Sequence, residues 1–199
     1  KSVNNIMIAL YAFVIISFFI TIVDIIIRFP LQSEMIDYND IQAIVINVLA
    51  LLIQIVSFAY GFVNAIRGML SPKRMGAVIT AFFAATCITG TGNMVIYSNV
   101  QIVLWWIVLI IPNIVGAVAT FAYFVLGKKS KIYSIIIYLV AIWGMFRIIY
   151  SNYNLIVHAN QYLSMNSTVR LVLEIAIHCL VIYQTYVLWI KRQNATDIS

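Results

Sequence analysis

Ionisable side chains lie at helical spacing inside runs that are otherwise apolar. Asp24 and Arg28 are four residues apart near the end of the first run, and Arg170, Glu174 and His178 repeat that interval in the last. Because residues four apart share one face of a helix, both sets predict charges paired on a common stripe. Guanidinium groups bind carboxylates or phosphates, whereas carboxylates bind amines or protons. This pattern predicts a polar site within an apolar bundle.

Arg147, near the end of the fifth apolar run, completes the candidate set. The predicted ligand-binding residues are Asp24, Arg28, Arg147, Arg170, Glu174 and His178. Two acidic and three basic groups leave a net charge of +1 (3 − 2) before His178 is counted, which favours an anionic or zwitterionic ligand. The alternative is structural: the paired charges neutralise one another and pin the helices together, which lowers the cost of burying them.

The composition of the chain decides the class of protein. Of the 199 residues, 64% are hydrophobic and 9% are charged, and the mean hydropathy is +1.03. Soluble domains are about 45–50% apolar and about 25% charged. We therefore predict an all-α polytopic integral membrane protein that forms a single domain over residues 1–199. The net charge of +6 does not indicate nucleic acid, because the basic residues cluster between apolar runs.

Six segments are long enough to cross a membrane, which takes about 20 apolar residues. They are Asn5–Phe29, Ile41–Ile66, Met75–Tyr97, Val100–Leu126, Ile132–Tyr150 and Thr168–Ile190. Their continuous apolar character favours helices over the alternating strands of a barrel. Pro112 lies within the fourth segment and predicts a kink there. Cys87 and Cys179 lie in apolar segments, and we interpret both as small buried residues.

Basic side chains occur in alternate connections only. They are Arg67, Lys73 and Arg74, then Lys128, Lys129 and Lys131, and finally Lys191 and Arg192. By the positive-inside rule both termini lie in the cytoplasm. The short connections and abundant isoleucine are typical of a bacterial plasma membrane protein. With this orientation, the predicted charges of the first, fifth and sixth helices lie in the outer half of the membrane, and His178 lies near its middle.

We therefore predict membrane transport or solute binding, with an outward-facing polar pocket between helices one, five and six. In size, helix number and termini the chain resembles the substrate-binding subunits of energy-coupling-factor importers. One alternative is an accessory, assembly or immunity-type subunit that binds other membrane proteins. Its cytoplasmic partner, or anionic lipid, would meet the basic clusters, although these clusters also serve as topology determinants. The cluster residues are Lys73, Arg74, Lys128, Lys129 and Lys131.

An intramembrane enzyme is the second alternative, because a Glu–His pair can act as a general base. The sequence contains neither a nucleophile motif nor a set of residues at metal-ligand spacing beside that pair. We accordingly predict no catalytic residue, no metal site and no cofactor.

Overall fold

The computed structural model describes residues 2–32, 38–96, 106–151 and 165–196. In these ranges the chain forms six helices and no strand, which confirms the all-α prediction for them. The helices are α1 Ser2–Gln32, α2 Tyr38–Ile66, α3 Pro72–Ile96, α4 Trp106–Val125, α5 Lys131–Ser151 and α6 Met165–Thr196. The long connection before α6 and the last turn of the predicted third span lie partly outside the described residues.

Four stretches of the described helices are long and apolar enough to cross a membrane. They are Val45–Ile66, Trp106–Val125, Lys131–Tyr150 and Leu171–Asn194. They are compatible with an integral membrane protein. α1 contains the shorter apolar stretch Asn5–Ile20. The predicted spans in α1 and α3 are helical, but their crossing of the membrane stays a prediction.

The six helices form a closed bundle in which each helix packs on its sequence neighbours and α6 packs on α1. α3 and α6 also touch across the middle. Aromatic side chains fill the interior, where Tyr11, Phe83 and Phe124 are fully buried. Large aliphatic side chains such as Val56 and Leu139 lie exposed on the outside. This distribution suits a bundle whose outer surface faces lipid.

α2 and α4 end in the same way. The chain turns after each helix at a glycine in the left-handed region, with φ of 66° at Gly68 and 68° at Gly127. A side chain would be strained there, whereas glycine adopts this conformation freely. Backbone bonds from Met69 N–H to Asn64 C=O and from Lys128 N–H to Ala122 C=O then close the two ends. Both connections are therefore tight.

At each of these two ends, an arginine from another helix donates hydrogen bonds. Arg74 of α3 donates to the Asn64 side-chain oxygen at 2.6 Å and to the Met69 carbonyl at 2.8 Å. Arg192 of α6 donates to the Tyr123 carbonyl at 2.6 Å, and its guanidinium lies 4.2 Å from the centre of the Tyr123 ring. Positive charge at a helix C-terminus stabilises the helix dipole. Arg74, predicted as part of a partner surface, is thus engaged within the bundle.

α4 is irregular at Pro112. Trp106–Ile110 and Phe121–Val125 are π-helical, and only Ile111–Thr120 between them is α-helical. In an α-helix the N–H of residue 112 would donate to the Val108 carbonyl, but proline has no N–H. The Trp143 indole of α5 donates to that carbonyl instead, at 2.9 Å. The irregularity expected at Pro112 thus takes the form of a π-helical segment and a bond between helices.

The two cysteines differ in burial. Cys87 is half-buried, with its sulfur 3.9 Å from the Ile110 carbonyl, whereas Cys179 is exposed. The prediction that Cys179 is buried is wrong. The apolar sequence around it indicates a span, but it does not indicate which face of α6 turns inward.

The Trp143→Phe substitution should destabilise the bundle, because it removes the indole N–H that donates to the Val108 carbonyl. We expect a loss of about 1–2 kcal/mol in the free energy of unfolding, measured in mixed detergent micelles. Pro112→Ala restores a backbone N–H, so Trp143→Phe should cost no more than about half as much in that background. An equal cost in both backgrounds would show that the indole contributes packing alone.

Candidate functional site

Three of the six predicted site residues come together where α5 packs on α6. Glu174 lies within electrostatic range of the Arg147 guanidinium, and Arg147 lies within range of the His178 imidazole. Arg147 and Glu174 are half-buried, and His178 is only 4% exposed. The two helices thus place a guanidinium, a carboxylate and an imidazole in one polar cluster, which we call the α5–α6 site.

The other three predicted residues are only partly placed. Asp24 and Arg28 belong to α1, and Arg170 belongs to α6, but their side chains lie outside the described residues. α1 and α5 both pack on α6, so α6 would form one side of the pocket predicted between these three helices. The convergence of all six residues stays a prediction.

His178 is held on three sides. Its Nδ1 lies 2.7 Å from the Glu174 backbone carbonyl, and because a carbonyl accepts only, Nδ1 carries the proton. The imidazole meets the Phe82 ring edge to face, with centroids 5.5 Å apart. Nε2 points toward Gly144 of α5. The sequence predicted a Glu174–His178 side-chain pair, whereas this bond uses the main chain.

Gly144 is a site residue that the sequence analysis missed. A Cβ atom built on Gly144 would collide with His178 Nε2 and would lie 2.7 Å from its Cδ2. The absence of a side chain at this position is therefore what allows the imidazole to reach the α5 backbone. Gly144 is three residues before Arg147, so the two share a face of α5. The three-residue spacing between Gly144 and Arg147 could therefore have indicated, from the sequence, that Gly144 lies at the site.

A second polar contact lies further along α6. Gln184 donates through Nε2 to the hydroxyl of Tyr11 in α1, and both side chains are fully buried. Gln184 Oε1 has no hydrogen-bond partner among the described residues. The neighbouring Thr185 is also buried, but its hydroxyl donates to the Val181 carbonyl of its own helix at 2.8 Å. Gln184 is thus the residue that reaches another helix here.

Aromatic rings separate this contact from the α5–α6 site. Phe82, which touches His178, lies 6.2 Å from Phe58, and Phe58 lies 6.2 Å from Tyr11 between ring centroids. Phe58 and Phe82 are both buried. The inward face of α6 therefore carries two polar positions with an apolar layer between them.

The α5–α6 site carries groups that can bind a charged solute. A guanidinium binds carboxylate or phosphate through two parallel hydrogen bonds, and the Glu174 carboxylate can accept bonds from an ammonium group. Among the described residues, no three His, Cys, Asp or Glu side chains lie close enough together to bind a metal ion.

Comparisons with protein-family models, with curated proteins and with solved structures found no match to this chain.

The Gly144→Ala substitution should destabilise the protein, although alanine is the better helix former. The added methyl group must displace an imidazole that is held by Phe82 and by the Glu174 carbonyl. We expect a net loss of about 1–2 kcal/mol in the free energy of unfolding. In a His178→Ala background the same change should be neutral or stabilising by up to about 1 kcal/mol. Equal effects in the two backgrounds would mean that Gly144 and His178 are not in contact.

Proposed function

We propose that the protein binds a small anionic or zwitterionic solute at the α5–α6 site, or transports such a solute across the membrane through this site. The observation that carries this proposal is Arg147, a guanidinium half-buried in an apolar span and within electrostatic range of Glu174 and His178. A charged side chain costs about 2.5–3.5 kcal/mol at the bilayer centre on insertion scales, and less toward the membrane surface. Such residues are retained mainly where they bind a partner or a ligand.

The charge balance favours an anionic or zwitterionic solute. If Asp24, Arg28 and Arg170 join Arg147 and Glu174, three positive charges face two negative ones. A carboxylate or phosphate would neutralise the excess, and an amine on the same molecule would find the Glu174 carboxylate. Attraction between charges is stronger in a medium of low polarity, so a small solute can be held by few contacts.

The proposed site opens to the outside of the cell. Arg147 lies near the end of α5 and Glu174 near the start of α6, away from the basic connections that the positive-inside rule assigns to the cytoplasm. We accordingly propose six membrane spans, both termini in the cytoplasm, and a bacterial plasma membrane as the location.

The test is thermal unfolding of the purified protein with small carboxylates, inorganic phosphate and amino acids as probes. A probe at a hundred times its Kd contributes about 2.7 kcal/mol, which raises the Tm of a chain of this length by roughly 5–11 °C. Arg147→Gln should abolish the increase. Lys73→Gln removes the same charge from an exposed position at the opposite end and should leave the increase unchanged.

Two results would contradict the proposal. One is an equal increase in Tm for the wild type and Arg147→Gln, which would place the probe elsewhere. The other is no increase with any probe, together with loss of a co-purifying membrane protein from Arg147→Gln. That second result would favour the accessory or assembly subunit, in which the same charges bind helices of another protein.

A further inference from the structure

One end of the bundle is basic. The Arg192 contact with the Lys128 carbonyl joins the end of α6 to the connection between α4 and α5 at 3.0 Å. Gly76, near the start of α3, lies against Phe124 and Val125 at the end of α4, so the α2–α3 connection lies at this same end. The basic residues described at this end are Arg67, Lys73, Arg74, Lys128, Lys129, Lys131, Lys191 and Arg192. No Asp or Glu is described there.

Two of these cations are engaged and the others are exposed. Arg74 and Arg192 donate to carbonyls at the ends of α2 and α4. Four exposed lysines remain where α4, α5 and α6 meet. We call them the lysine cluster: Lys128, Lys129, Lys131 and Lys191. Because the Arg192 guanidinium donates to the Lys128 carbonyl, it holds the end of α6, and with it Lys191, beside the other three.

Exposed apolar side chains adjoin the lysine cluster in the sequence. Leu126, Ile132 and Tyr186 are 58%, 65% and 50% exposed. They belong to the ends of the same helices, within a turn or two of the lysines. Lysines next to exposed apolar side chains are typical of protein surface that lies at the boundary between lipid headgroups and acyl chains.

We propose that the lysine cluster binds the phosphate groups of anionic phospholipids. Lysine presents a compact, mobile positive charge suited to phosphate, and basic residues beside a membrane attract anionic lipid. The adjoining apolar side chains favour lipid over a soluble acidic protein, because acyl chains can cover them while the headgroup reaches the lysines. This proposal is independent of the α5–α6 site.

The test uses the full chain in nanodiscs of phosphatidylcholine with one quarter phosphatidylglycerol, and counts retained lipids by native mass spectrometry. The wild type should retain phosphatidylglycerol preferentially. Lys128→Gln/Lys129→Gln should lower that preference by roughly tenfold or more. Arg67→Gln/Lys73→Gln removes the same charge from exposed positions of the α2–α3 connection and should lower it by less than about threefold.

Three results would overturn the proposal. Equal losses in the two double variants would show a diffuse attraction to the leaflet instead of a site. Retention of the two lipids by the wild type in the one-to-three ratio of the nanodisc itself would show that the lysines do not select anionic headgroups. Displacement of the lipid by millimolar inorganic phosphate would identify a site for free anions. Circular dichroism of both variants in nanodiscs checks that each keeps its helical fold.

Discussion

A polar group buried in this bundle has to find its partner within the protein, because lipid offers none. The Val108 carbonyl, left without its N–H by Pro112, is met by the Trp143 indole of the next helix. The carbonyls at the end of α4 are met by Arg192. In both places a local break in helical bonding is repaired by a side chain from a neighbouring helix. The irregular points of single helices thereby become the polar contacts that fix how the helices pack.

α6 is the helix on which this constraint acts most strongly. It packs on α1 and α5 and touches α3 across the middle, and it carries the buried polar residues His178 and Gln184. His178 is accommodated because Gly144 leaves room on α5, and Gln184 because Tyr11 supplies a hydroxyl from α1. The same packing of α5 on α6 brings Arg147 within electrostatic range of Glu174, so the proposed binding site depends on how these two helices pack.

The apolar runs and basic connections predicted the observed helix ends to within about six residues, because length and hydropathy are local properties; the predicted start of the fourth span at Val100 lies outside the described residues. The four-residue spacing on α6 also placed Glu174 and His178 on a face that meets Arg147. What the pattern did not indicate is which atoms bond between helices. Gly144 and Gln184 were missed, because partners on other helices depend on how each helix is rotated about its axis. Exposure of Cys179 was missed for the same reason.

The central claim is that Arg147 and Glu174 interact across the α5–α6 interface. A double-mutant cycle with Arg147→Ala and Glu174→Ala, read by the free energy of unfolding in mixed micelles, measures this directly. The account predicts a coupling energy of about 1 kcal/mol or more, since the effects of substituting two charged residues that interact are not additive. Additive losses, within about 0.5 kcal/mol, would mean that the two charges are satisfied separately, and would contradict the account.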